Sequence, residues 1–281
     1  MTVPDSYRYC ENVARSRAKN FYYSFVLLST EQRRAMCAVY AYMRYCDDLS
    51  DDAVNADRAG SIARWRADLE QTLAGTVLPS HAVWPAFRDT VERFRIPHQY
   101  FFDMIAGVSS DLEPRRLQTF AELYDYCYKV ASVVGLTIIH IFGFESSDAL
   151  LLAEKCGIAF QLTNVIRDVR EDIGLNRVYL PAEDLKRFGI DESDLAASMP
   201  SAAFIELMRF EGARARQYYV ESRPLIEMVD KKSRSSLWAL IEIYSRLLDR
   251  IEAAGYDVLS QRVRLSTFEK AGIVVTGFLR R

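Results

Sequence analysis

Gln161-Leu-Thr-Asn164-Val-Ile-Arg-Asp168-Val-Arg-Glu-Asp172 reads as a helix with unlike faces. At about 100° per residue, Gln161, Asn164, Asp168 and Asp172 fall within a narrow arc. One face then carries two amides and two carboxylates, while Leu162, Val165, Ile166 and Val169 supply apolar surface that can bury. Asp168 and Asp172 stand one turn apart, about 6 Å along the axis. Like charges at that spacing repel and destabilise a helix. A divalent cation between them reverses the sign of the interaction. The plainer alternative is a solvated acidic face, with Arg167 and Arg170 paired to the acids. On the cation reading, Asp168→Asn is expected to leave the metal-free fold intact or to stabilise it.

A second stretch repeats the geometry. In Tyr40-Ala-Tyr-Met-Arg44-Tyr-Cys-Asp47-Asp48-Leu-Ser-Asp51-Asp52, the side chains of Tyr40, Arg44, Asp47 and Asp51 share one helical face. Each stretch offers an Asp-x-x-x-Asp pair, and the two are far apart in sequence. Facing helices with inward carboxylates make a cage for hard cations. Mg²⁺ keeps its waters and typically takes one or two carboxylates plus substrate phosphate. Two acidic helices therefore read as Mg²⁺ bridges to a diphosphate.

These residues carry a family resemblance. The chain resembles the squalene/phytoene synthases in Phe21-Tyr-Tyr-Ser-Phe, Arg44-Tyr-Cys-Asp-Asp-Leu-Ser-Asp51 and Tyr126-Cys-Tyr-Lys-Val-Ala-Ser-Val-Val-Gly135. The match continues through Phe160-Gln-Leu-Thr-Asn-Val-Ile-Arg-Asp-Val-Arg-Glu-Asp172 and Asn176-Arg-Val-Tyr-Leu-Pro181, running in order from about residue 7 to about residue 270. The second aspartate stretch with its trailing Arg-Val-Tyr-Leu-Pro is very specific; the first is much less so.

The resemblance implies an all-α bundle around a central cavity, a single catalytic domain over residues 1–281, and head-to-head condensation of two prenyl diphosphates. It implies several Mg²⁺ ions per site, bridging the diphosphates and held by Asp47, Asp51, Asp168 and Asp172. Tyr40, Arg44, Tyr128, Arg167 and Tyr244 become the catalytic set. Arg17, Asn20 and Phe21 line the substrates from the N-terminal side, and Gln161, Asn164, Arg177 and Tyr179 do so from the other. The compact length and the Phe-Tyr-Tyr-Ser-Phe run resemble the bacterial presqualene diphosphate synthases, which favours two farnesyl diphosphates as substrates. The alternatives are phytoene from geranylgeranyl diphosphate, or hydroxysqualene or dehydrosqualene. NADPH is compatible but not indicated, since no dinucleotide fingerprint is present.

Three departures bear on the substrate rather than on the reaction class. The usual Ser-rich turn is Arg17-Ala-Lys-Asn20, the usual small Gly is Ser132, and the usual acidic segment reads Gly107-Val-Ser-Ser-Asp111-Leu112. Ser132 is expected to narrow the pocket slightly. Head-to-tail prenyl elongases normally repeat a double Asp in their second motif, where this chain has Asp168 leading alone. Class I terpene cyclases pair one Asp motif with an Asn/Ser/Glu motif that does not appear here. A non-catalytic helical scaffold has no need of Arg44, Gln161 and Asn164 on the aspartate faces.

Composition sets outer bounds. The 281 residues are half hydrophobic, with a formal charge of −2, and no basic block suits nucleic acid. Five scattered cysteines read as buried, reduced thiols of a cytoplasmic protein. His140 reads as a packed core residue. The apolar run Val130–Phe144 is interrupted and shorter than the roughly 20 residues that span a bilayer. The expected location is cytoplasmic, with peripheral membrane contact for product release and hand-over to downstream isoprenoid enzymes.

Only 12 Gly and 8 Pro, with long 3.6-residue periods, argue for helices throughout. Ser29 opens a capping box with Gln32 ahead of a helix to about residue 51. Residues 119–142 and 147–173 read as two continuous helices, the second capped by Gly174. Residues 175–200 read as a mobile flap carrying Arg177 and Tyr179, with surface pairing of Arg177 to Glu183 or Asp184 as the plainer alternative.

Overall fold

The computed structural model describes residues 1–18, 21–51, 56–76 and 78–280, with Asp51 described in its backbone only. The chain is all-α, as its periodicity predicts. The first helices are α1 (Val3–Arg17), the short α2 (Phe21–Phe25) and α3 (Thr30–Asp51), followed by α4 (Arg58–Leu73), α5 (Trp84–Phe94) and α6 (Gln99–Ser109). Their starts follow capping chemistry. The Thr2 side chain accepts from the Asp5 amide ahead of α1, and Asp57 accepts from Gly60 ahead of α4. The Ser29 hydroxyl accepts from the Gln32 amide and donates to the Gln32 side chain. Gln32 then reaches across the core to the Ile141 carbonyl and the Ser233 hydroxyl.

A 3₁₀ turn (Ser110–Leu112) leads to β1 (Arg115–Arg116) and α7 (Phe120–Cys127). A π-helical turn over Tyr128–Ser132 then joins α7 to α8 (Val133–Phe142). The expected single helix over 119–142 is thus interrupted by wider turns, a feature often found at functional sites. The central helix α9 (Asp148–Arg167) continues as α10 (Val169–Gly174) after a local break at Asp168, where φ is −102° and ψ is 13°. The hydrogen-bond ladder survives the break: Asp168 N–H donates to Asn164 and Asp172 N–H to Asp168. The aspartate face is therefore offset but not lost.

Beyond α10 come β2 (Arg177–Val178), α11 (Ala182–Phe188), α12 (Glu192–Leu195) and α13 (Ala202–Ser222). The chain then forms α14 (Leu225–Met228), α15 (Lys231–Ala253) and α16 (Thr267–Leu279). The segment expected as a free flap is built into the body. Val178, Tyr179 and Leu180 are buried, and β2 pairs in parallel with β1, Arg115 opposite Arg177.

Helix α9 lies at the centre, against α13, α8, the π turn and α15. Its approach to the π turn depends on Gly157, where a Cβ would stand 2.5 Å from the Ser132 Cα, a backbone atom with little room to yield. Ser132 is fully buried and donates its hydroxyl to the Glu154 carbonyl at 2.8 Å. It fastens the π turn to α9 and does not line the cavity, so the expected narrowing does not arise. Helix α3 is anchored from behind by rings on four helices. Tyr42 stacks on Phe87 at 4.5 Å and on Trp65 at 5.7 Å, and meets Phe101 edge-on. Such ring pairs contribute roughly 0.5–1.5 kcal/mol each beyond burial. All five cysteines are buried and unpaired.

Candidate active site

Helices α3, α9 and α10 face each other across a cavity of about 460 Å³. From α3 come Tyr40, Arg44 and Asp47; from α9 and α10 come Gln161, Asn164, Arg167, Asp168 and Asp172. The two acidic stretches, far apart in sequence, therefore open onto one space. Arg177 and Tyr179 close a further side, and Phe21 and Tyr244 another. The rest of the wall is apolar, including Met36, Val39, Ile138, Leu237 and Leu240.

The polar groups interact closely. Asp168 accepts from the neighbouring Arg167 Nε at 2.7 Å and from Arg262 Nη2 at 2.8 Å. Arg262 also lies 3.4 Å from Glu171. Asp172 is pushed up to about 8, first by burial and then by the charge of Asp168, with Arg177 pulling the other way. On α3 the charges divide. Asp47 lines the cavity, whereas Asp48 pairs with Arg44 and, at 3.0 Å, with Arg17. Arg17 is thus held beside the first aspartate stretch but outside the cavity lining. Asn20 and the side chain of Asp51 lie outside the described residues.

The donor set fits Mg²⁺. Asp47, Asp168 and Asp172 present hard oxygen donors to the same space. The Asn164 side-chain oxygen is buried there with no hydrogen-bond partner, while its amide donates to Gln161 at 3.1 Å. The raised Asp172 records a concentration of negative charge that a cation relieves. Among the described residues, no three acidic, His or Cys side chains already converge on one point. That arrangement suits an ion completed by phosphate and water.

Aromatic faces continue the wall. Phe160 stacks on Tyr244 at 4.3 Å, and Tyr244 meets Phe21 edge-on at 5.7 Å. Phe25 and Phe160, which the sequence leaves open between core and wall, are both buried and both line the cavity. Tyr128 requires a correction: it is partly exposed and lies outside the lining, whereas Tyr126 is buried and within it. The π turn begins at Tyr128 and alters the face that follows, which a uniform 3.6-residue period cannot foresee.

The structure adds Tyr126, Asp111 and Arg262 to the site. Asp111 accepts from the Tyr126 and Tyr179 hydroxyls at 2.9 Å each, one per carboxylate oxygen. Those two rings stack at 4.6 Å. Arg177 donates to the Asp111 carbonyl at 3.0 Å, while Asp184 pairs with Arg214 and Glu183 accepts from the Phe120 amide. The surface alternative for Arg177 is therefore excluded, since both proposed partners are engaged elsewhere and Arg177 is 9% exposed. The sequence held a signal for Tyr126 and Asp111 in the motifs that contain them. Arg262 comes from a loop with no periodic signal.

An all-α chain with two carboxylate helices, arginines and an aromatic wall around one cavity has the make-up of an isoprenoid-transferring enzyme. The chain belongs to the squalene/phytoene synthase family, whose model matches residues 7–269. It is a prenyltransferase of the head-to-head condensing type. It is 35% identical to the 15-cis-phytoene synthase of Synechocystis sp., over 99% of this chain and 86% of that protein. It is 36% identical to the phytoene synthase of Arthrospira platensis, over 96% and 91% of the two chains. A crystal structure of a dehydrosqualene synthase with bound ligand matches with a TM-score of 0.91 at 28% identity, covering 99% of this chain and 96% of that one.

Proposed function

We propose that this enzyme is a phytoene synthase, joining two geranylgeranyl diphosphates head to head. The observation that carries this reading is identity of 35% and 36% to phytoene synthases over nearly the whole chain. These relatives favour the C20 alternative over the farnesyl-based presqualene reading drawn from length and the Phe-Tyr-Tyr-Ser-Phe run. A second reading keeps C15 substrates and a dehydrosqualene product, and the close structural match to a dehydrosqualene synthase favours it.

The residues divide the work by charge. An allylic carbon–oxygen bond breaks when its electron pair leaves with the diphosphate, so the site must favour negative charge there. Arg44, Arg167, Arg177 and Arg262 gather positive charge at the polar end. Mg²⁺, held by Asp47, Asp168 and Asp172 and, by sequence, Asp51, supplies further neutralisation of the departing diphosphate. The carbon left positive is shielded by the faces of Phe21, Phe160 and Tyr244, each worth roughly 0.5–2 kcal/mol to a nearby cation. The buried β1–β2 pairing and the Asp111–Tyr126–Tyr179 network close the wall against water, which would otherwise capture the cation.

Product analysis with C15 and C20 diphosphates, with and without NADPH, tests the reading. The expected result is a C40 hydrocarbon from the C20 substrate, independent of NADPH. A C30 product formed in preference to C40 overturns it, and release of a C15 alcohol or cyclic hydrocarbon overturns head-to-head condensation itself.

A further inference from the structure

Helix α16 is apolar on two opposite faces. Ile273, Val274 and Gly277 are buried, with Gly277 close against the Leu27 side chain. By helical arithmetic Phe268, Ala271, Gly272, Val275 and Leu279 share the opposite side. All five are exposed: Phe268 by 90%, Val275 by 59% and Leu279 by 84%, with Ala271 and Gly272 also in the exposed class. A helix apolar all round is normally buried in protein or lipid. Here, half of its circumference is open.

The charge around this stripe has one sign. From Arg262 to Arg281 the sequence holds five basic residues and one acid, Glu269, in a chain whose net charge is −2. Glu269 is already paired with Arg250, at 2.6 Å. Lys270 and Arg280 rest beside aromatic rings of the body, over Tyr23 and Trp238, at 5.8 and 4.4 Å. Their charges thus flank the stripe without covering it.

We propose that α16 docks the enzyme on an anionic lipid surface, with Phe268, Val275 and Leu279 entering the acyl boundary and the basic residues facing the headgroups. An apolar stripe beside clustered cations is the pattern of interfacial helices. A second copy of the chain fits less well, because a two-fold pairing of this face brings like charges together. The placement also has a use. Helix α16 packs on α2, whose Phe21 and Phe25 line the cavity, so a water-insoluble product has a short path to the docked surface. The surface argument itself is independent of which prenyl substrate the enzyme takes.

The test is flotation of the full chain with phosphatidylcholine vesicles containing about a quarter phosphatidylglycerol, against pure phosphatidylcholine. The wild-type protein is expected to float with the anionic vesicles, and less so at high salt. Phe268→Ser and Leu279→Ser are expected to weaken binding by roughly tenfold or more each, and Arg264→Glu to weaken it in a salt-dependent way. All three should retain turnover of detergent-dispersed substrate, because these side chains are exposed and outside the cavity lining. Failure of the wild-type protein to float overturns the proposal, as does flotation of the serine variants at wild-type level. A dimer in sedimentation that Phe268→Ser dissociates, without flotation, reassigns the face to self-association.

Discussion

The two aspartates of α9–α10 respond oppositely to loss of charge in the metal-free enzyme. Asp168 neutralises Arg167, whose side chain is 13% exposed, and also holds Arg262. Removing the charge from Asp168 strands a mostly buried guanidinium. Breaking a fully buried pair costs about 3–5 kcal/mol. Some solvent reaches Arg167, and Arg262 retains Glu171, so Asp168→Asn is expected to destabilise by roughly 1–3 kcal/mol. This reverses the sequence expectation, which counted repulsion with Asp172 and not the arginine arriving from residue 262. Asp172 is the strained member, raised by burial and by Asp168, so Asp172→Asn should stabilise the same metal-free protein. Thermal melts in chelator read both effects, with shifts of about 2–4 °C per kcal/mol for a protein near this size. Both variants should lose turnover. A melting temperature for Asp168→Asn equal to or above wild type refutes the reasoning, and so does a lower one for Asp172→Asn.

Three further outcomes are expected. Gly157→Ala should lower the melting temperature by several degrees, since the new Cβ meets the Ser132 backbone and overpacking costs about 1–3 kcal/mol; unchanged melting would show that α9 and the π turn separate freely. Tyr126→Phe removes one of the hydroxyls that Asp111 accepts and should cut turnover about tenfold or more, with Tyr128→Phe near wild type; the reverse order in a diphosphate-release assay restores the original assignment. Glu211 is pushed up to about 8 by burial, beside Arg214 and Asp184. The folded form then holds a proton that the unfolded chain releases near pH 4.5, so this group's contribution is full below that pH and declines as pH rises through about 8. Glu211→Gln should flatten the fall in stability across that window, and urea melts at pH 5, 7 and 9 that keep the wild-type slope contradict the assignment.

The helices themselves were readable. Ser29 with Gln32, Asp57, and the periodicity of residues 30–51 and 148–167 are local signals, acting within one or two turns of backbone. They placed both aspartate stretches, and shared spacing implied that they face a common space. The C15 preference rested on length and a short aromatic run, features that do not measure the reach of a prenyl chain. Tyr126 was misread as Tyr128 because a π turn, stabilised by the close crossing at Gly157, alters the helical phase.

The sequence alone determined which residues are helical, which faces are apolar, and that carboxylates, amides and arginines lie on matching faces, because backbone periodicity and capping depend on near neighbours. Only the tertiary structure decided which charge meets which. Arg262 arrives at Asp168 from 94 positions away, Arg177 reaches the Asp111 carbonyl across the β1–β2 pair, and one carboxylate fixes two tyrosines from different segments. Those contacts depend on how helices cross and on which chain segment fills the remaining space, and neither is encoded in a single helical period.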